Sequence, residues 1–185
     1  MTDTHPWPWQ IADRTFDGLV RARAAATPDA TFLIGDDGQR LTFGEYDARV
    51  DRVAAALSRE GIGQGSRVAW TLPTRVSTVL VMGALRRLGA IQAPIIPLYR
   101  EREMGAAVRT SGSETLLVPG TWRGTDYLEL AARLPLEGHT SPLVLEIGAV
   151  APEADPVAGL GEPYDADDIR WIYFTSGSTG TPKGA

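Results

Sequence analysis

The chain has 185 residues, 43% of them hydrophobic, and a formal net charge of −5. A chain of this size hides roughly 70% of its unfolded surface on folding, so a real core is within reach. Mild acidity and scattered Lys and Arg leave no basic footprint for nucleic acid and no polybasic membrane patch, and the absence of Cys excludes disulfides and thiolate chemistry.

The amino terminus, MTDTHPWPWQIADRTFDG, has no basic segment ahead of an apolar stretch, so no secretory signal is read there. The longest apolar segment, VSTVLVMGAL at 76–85, is about half of the ~20 residues that span a bilayer. Together these features predict a cytoplasmic protein with no integral membrane segment. Residues 1–30 read as an irregular arm and a first helix. Trp7 and Trp9 flank Pro8 in that arm; they form either an aromatic contact site or an arm packed on its own domain, the usual fate of a terminal segment.

Residues 31–185 read as one α/β unit. TFLI (31–34) and RLTF (40–43) form a hairpin pair, with GDDG (35–38) supplying turn residues. Thr42 and Glu45 have capping-box spacing, Leu41 and Tyr46 can staple the entry, and Tyr46, Val50, Val53 and Leu57 follow at helical spacing. Gly61 or Gly63 ends that helix. RVAWTL (67–72) is a strand closed by Pro73, and VSTVLVMGALRRLG (76–89) is a helix apolar nearly all round, hence buried on most sides. AIQAPIIPL (90–98) is extended, and its two prolines make it a poor central strand beyond its first residues. Helix is expected over 101–110, strand over 114–118, helix over 125–134 and strand over 142–147. The Pro-, Ala-, Gly- and acid-rich stretch 148–163 reads as a surface connection. Strands alternating with helices predict a three-layer α/β domain, a largely parallel sheet with flanking helices.

The chain ends in YFTSGSTGTPKGA. WIYF (171–174) reads as a strand covered on both faces. A loop past the carboxyl end of such a strand lies where open α/β sheets bind ligands. Gly177 and Gly180 allow close backbone approach, Thr175, Ser176, Ser178, Thr179 and Thr181 offer hydroxyls, and Lys183 adds a positive charge. Successive N–H groups in such a turn form an anion nest, and the natural guest is a phosphate chain. The alternative is a flexible Gly/Ser linker, which rarely leaves an aromatic strand or ends in Pro-Lys-Gly. The spacing is not that of a Walker A loop, because Thr181 and Pro182 separate Gly180 from Lys183. Pro182 biases Thr181 away from helical geometry, so the chain should stay extended through its lysine.

YFTSGSTGTPKG resembles the phosphate-binding signature of the adenylate-forming enzymes over twelve consecutive positions. That superfamily includes acyl-CoA synthetases, peptide-synthetase adenylation domains and luciferases. LTFGEYDARVDRVAAALSREGIGQGSRVAWTLP (41–73), LGAIQAPIIPLYRERE (88–103) and DADDIRWIYFT (165–175) are similar to its earlier segments. PIIPLYRERE and PGTWRGTDY (119–127) look most like ligases for fatty, alicyclic or aromatic acids.

The resemblance implies an incomplete, N-terminal part of the adenylate-forming fold, ending at the phosphate loop and lacking the C-terminal domain. It implies an AMP-forming acyl-CoA synthetase in which a carboxylic acid attacks the α-phosphate of Mg-ATP and coenzyme A thiol then displaces AMP. Thr175, Ser176, Gly177, Ser178, Thr179, Gly180 and Lys183 would hold the β- and γ-phosphates, while the family's catalytic lysine lies downstream of this window. An amino-acid adenylation domain and a non-catalytic, vestigial nucleotide-binding fragment stay open as alternatives. A fragment would be inactive alone and would require a missing or separately encoded C-terminal remainder.

Other candidates divide between two readings each. Asp165, Asp167 and Asp168 could form a metal cluster or cap a turn, and the turn is favoured. Arg86, Arg87, Arg100 and Arg102 could meet coenzyme A phosphates, but read better as solvated faces and a helix-terminus charge. His5 and His139 read as surface residues, and Trp70 and Trp171 as core.

Overall fold

The structure is a computed structural model that describes residues 15–161, 165, 167–175 and 183–184. The arm with Trp7, Trp9 and His5 lies outside these. Helix α1 (Phe16–Ala26) opens the described chain, with Thr15 capping it by accepting from the Gly18 N–H. Strands β1 (Thr31–Ile34) and β2 (Arg40–Thr42) pair antiparallel around the 35–38 turn, with one bulge between Thr31 and Leu33.

Helix α2 (Phe43–Arg59) begins in the expected capping box: Glu45 N–H donates to Thr42 Oγ1, and Thr42 N–H donates to the Glu45 carboxylate. It ends at Gly61, which takes φ +85°. The Gly61 N–H reaches Ser58 O at 3.0 Å and the Ile62 N–H reaches Leu57 O at 3.3 Å, a Schellman stop with Ile62 and Leu57 in one apolar cluster. Helix α3 (Val76–Arg87) stops the same way at Gly89, with bonds from Gly89 to Arg86 and from Ala90 to Leu85.

Four strands form a parallel sheet in the order β4 (Ile91–Pro94), β3 (Arg67–Trp70), β5 (Thr115–Val118), β8 (Leu143–Glu146). Between these strands come α4 (Glu101–Ser111), the two-residue strands β6 (Thr121–Trp122) and β7 (Thr125–Asp126), and α5 (Tyr127–Ala132). The small β6–β7 hairpin was not foreseen; helix was expected from Thr125, but Asp126 instead caps α5 by accepting from Leu128 and Glu129 N–H groups.

Alternating strand residues build two cores. Val68 and Leu117 face α1, α2 and α3, whereas Ala69, Leu116 and Val118 face α4 and α5. This is the expected three-layer arrangement. Helix α3 is buried along most of its length, and Gly83 lets it approach Tyr46 and Val50 of α2.

Two expectations are corrected. Arg86 and Arg87 are not solvated. Arg87 is 5% exposed and pairs with Asp17 at 3.1 Å, Asp47 at 2.6 Å and Asp51 at 2.7 Å. Burial works against its charge, but the three carboxylates outweigh that and hold its proton more tightly than usual. Arg86 lies over the Phe16 ring and donates to the Tyr46 hydroxyl. The segment 148–161 is also more than a surface connection. Ala151 is buried, Leu160 packs on the first core, and Glu153 pairs with Arg49 at 2.7 Å and Arg52 at 2.6 Å. The strap therefore closes over α2.

Candidate functional site

The chain returns to the sheet at residues 170–172. Gln92 N–H donates to Arg170 O at 2.9 Å and Ile172 N–H donates to Gln92 O at 2.8 Å, which makes one parallel bridge between Gln92 and Trp171. The ladder stops there for a covalent reason. The next rung on this side of β4 would need an N–H from residue 94, which is proline. Released from the sheet, the chain goes on to β9 (Phe174–Thr175), which pairs antiparallel with β10 (Lys183–Gly184).

WIYF is thus not a strand covered on both faces. Ile172 and Phe174 pack against the second core, while Trp171 and Tyr173 stack on each other on the opposite side, with ring centroids 5.6 Å apart and planes at 7°. Trp171 is half-buried and Tyr173 is exposed. The apolar run suggested double coverage, but only its alternate residues meet the described core.

The register places Thr175 opposite Lys183 and Phe174 opposite Gly184. The residues that flank the 176–182 segment are therefore paired with each other. The chain is extended at Lys183, as the Pro182 spacing predicts, where a Walker A loop would enter a helix. Of the seven predicted ligand residues, Thr175 and the Lys183 backbone are described; Ser176, Gly177, Ser178, Thr179, Gly180 and the Lys183 side chain lie outside the described residues. Gly184 allows β10 to lie on α4: a Cβ there would sit 3.1 Å from Ile172 Cγ2 and 3.3 Å from Thr110 Cγ2.

Trp171 pairs with Gln92 and the segment runs parallel to β4, so Thr175 lies toward the carboxyl side of the sheet, beyond its β4 edge. The chain goes from β3 outward to β4 and returns to β5 on the other side of β3, so the strand order reverses between β3 and β5. Thr175, where the loop begins, is therefore on the ligand side of the sheet, but displaced from that crevice. A pocket of about 270 Å³, lined by Arg109, Ser113, Glu114, His139 and Ser141 among others, opens at the opposite rim, ahead of β5 and β8.

The acidic approach caps a turn. Asp165 N–H donates to the Asp168 carboxylate at 3.1 Å, Asp167 N–H donates to Asp165 Oδ1 at 3.0 Å, and Asp168 pairs with Arg170 at 2.8 Å. Sequence reasoning missed Arg170. Its guanidinium donates to Gly89 O at 3.1 Å as well as to Asp168. The available signal was a lone charge between Ile169 and Trp171 in an apolar run. Arg100 stands at the N-cap of α4 and Arg102 is exposed in its first turn.

An open parallel sheet with helices on both faces, and a glycine- and hydroxyl-rich sequence between β9 and β10, is an α/β architecture. The AMP-binding enzyme family matches residues 20–185, and the chain belongs to this family of adenylate-forming enzymes. It is 30% identical over 206 residues to 2-hydroxy-7-methoxy-5-methyl-1-naphthoate–CoA ligase of Streptomyces carzinostaticus, a match covering 96% of this chain and 37% of that protein. It is 32% identical over 183 residues to salicyl-AMP ligase / salicyl-S-ArCP synthetase of Mycobacterium tuberculosis, covering 92% and 32%. Among solved structures, O-succinylbenzoate coenzyme A synthetase of Bacillus subtilis, in complex with AMP, superposes with a TM-score of 0.69 at 25% identity, covering 89% of this chain and 40% of that one. The N-terminal subdomain of Klebsiella oxytoca NpsA gives a TM-score of 0.75 at 23% identity, covering 92% and 41%, a likeness of fold. The chain spans about a third of the length of the two ligases. No helix among the described residues is long and apolar enough to cross a membrane.

Proposed function

We propose that this chain supplies the phosphate-binding part of an AMP-forming ligase that activates an aromatic carboxylic acid. The carrying observation is the pairing of Thr175 with Lys183, which brackets the signature sequence, with Thr175 toward the carboxyl side of a parallel sheet. The aryl preference is supported by the naphthoate–CoA and salicyl-AMP ligases among the relatives.

In the proposed reaction a carboxylate oxygen attacks the α-phosphorus of ATP. The bond from that phosphorus to the bridging oxygen breaks, pyrophosphate leaves, and an acyl-adenylate forms. A carboxylate is a poor electrophile, and the mixed anhydride supplies the missing leaving group. Coenzyme A thiol then attacks the acyl carbon, AMP departs with the bonding pair, and the thiol proton passes to solvent. The loop's role is electrostatic. The hydroxyls of Thr175, Ser176, Ser178 and Thr179 and the backbone around Gly177 and Gly180 hold the β- and γ-phosphates, and Lys183 balances charge as pyrophosphate leaves. Among the described residues no cluster of metal-ligating side chains occurs; the Asp165 and Asp168 carboxylates accept backbone N–H bonds within their turn, and Asp168 also pairs with Arg170.

The test is ATP–pyrophosphate exchange on the protein as its source makes it, with aryl acids, fatty acids and amino acids offered in turn. Exchange driven by aryl acids and reduced about 100-fold or more by Lys183→Ala is expected. Exchange with fatty acids alone would overturn the aryl assignment; no exchange with any acid would overturn activation itself. A second reading, amino-acid adenylation, has support from a 28% identical match over 87% of this chain to chondramide synthase of Chondromyces crocatus. Exchange driven by amino acids, with transfer to a carrier protein in place of coenzyme A, would establish it.

A further inference from the structure

We infer that Arg170 is a positioning residue for nucleotide phosphate, acting through the loop lead-in and not by touching the substrate; the inference rests on the phosphate-loop reading above. Among the described residues, the lead-in joins the sheet ladder at a single point. One bridge at Gln92 supplies two hydrogen bonds, and Pro94 denies it the next rung. Arg170 enters that attachment through three groups. Its carbonyl accepts from Gln92 N–H at 2.9 Å. Its guanidinium donates to the carbonyl of Gly89, the left-handed residue that stops α3, at 3.1 Å, and to the Asp168 carboxylate at 2.8 Å. One side chain thus ties the turn before the loop to the end of the helix that precedes β4.

The anchoring points are themselves rigid. Gln92 is fully buried and its Nε2 donates to Met82 O of α3 at 3.2 Å. Gly89 is set by the Schellman bonds and cannot accept a side chain without strain. Thr175 follows five residues after Arg170, so a tilt at the bridge is carried along an extended segment to the loop. A displacement of about 1 Å at a phosphate-binding group is enough to lower catalytic efficiency by orders of magnitude. Side-chain choice matters here as well. A planar guanidinium can serve the Gly89 carbonyl and the Asp168 carboxylate together, whereas a lysine ammonium is a single point donor.

The experiment compares Arg170→Ala, Arg170→Lys and Lys183→Ala in the protein as its source makes it, measuring KM for ATP, KM for the acid and kcat. Arg170→Ala should raise KM for ATP about tenfold, the size expected for losing a charge-assisted hydrogen bond, while KM for the acid changes less than about twofold. Arg170→Lys should recover part of that loss. Hydrogen exchange supplies a readout independent of turnover: in Arg170→Ala the Ile172 amide, which donates to Gln92, should exchange faster while the β3 and β5 amides do not. Equal rises in both KM values with general loss of protection would mean a purely structural arginine and would overturn the inference. Unchanged exchange at Ile172 would also overturn it, even if the variant were inactive. If Lys183→Ala leaves ATP use intact, the phosphate-loop reading itself fails, whereas a defect in Lys183→Ala with none in Arg170→Ala removes the positioning role alone.

Discussion

Arg87 shows how far a single residue can depart from its sequence context. At the end of an apolar helix, next to Arg86, it resembles a solvated cation favoured by the helix terminus. In the structure it is buried, and Asp17 of α1 with Asp47 and Asp51 of α2 close around it. Nothing local to α3 announces this, because two of its partners lie 36 and 40 positions away and the third 70. Replacing Arg87 by Met removes the buried cation and leaves three carboxylates with the half-exposed Arg21, 3.4 Å from Asp17 and 3.5 Å from Asp51, as their counter-charge. The expected loss is about 3 kcal/mol, read as a lower urea midpoint at unchanged slope. A loss below about 1 kcal/mol would show that the network contributes little beyond a surface ion pair. Trp70, read as core, packs against the first cluster, where its indole N–H has no hydrogen-bond partner among the described residues.

At the scale of elements, much of the fold was legible. The Thr42–Glu45 box, the glycine stops at 61 and 89 and the Gly-Asp turn at 35–38 all depend on neighbours within a few residues, so local chemistry suffices to find them. Packing between helices was not legible in the same way. Gly83 lies in the middle of α3, where glycine weakens a helix, and its reason is tertiary: a Cβ there would come within 2.8 Å of Val50 Cγ2 and closer still to the Tyr46 hydroxyl. Gly83→Ala would gain helix propensity worth about 1 kcal/mol and lose more to overpacking, for which ~1–3 kcal/mol is typical. A net lower melting temperature is expected; a rise would mean that α2 and α3 part at little cost. The β6–β7 hairpin escaped notice because two-residue strands carry no readable period, and Arg123, at φ 48°, occupies a turn position where glycine is expected.

For the molecule as a whole, the two faces of the parallel sheet are covered by helices, while the β4 edge carries, among the described residues, one bridge from Gln92 to Trp171. Two segments leaving that edge carry exposed apolar side chains: Ile96 and Leu98 after β4, and Ile169 at 71% and Tyr173 at 58% exposure ahead of the loop. Apolar exposure beside a strand edge held by a single bridge favours association. The 185-residue chain at micromolar concentration should therefore elute ahead of a 19.9 kDa monomer, and Ile169→Lys should shift it toward monomer. A single sharp monomer peak for the unaltered chain would count against an associating edge.

The sequence by itself determined the alternation of strands and helices, their caps and stops, and the family, because each rests on contiguous residues: a capping box, a glycine stop, or the run from Tyr173 to Gly184. Only the tertiary structure decided which strands are neighbours, where the arginines point and how the loop is hung. Those outcomes depend on groups brought together across the chain. Pro94 ends a rung that Ile172 would have accepted, Gly89 offers Arg170 a carbonyl from 81 positions away, and Asp17 reaches Arg87 across 70. Local propensity carries no record of such meetings, because their energy exists only once the layers have closed.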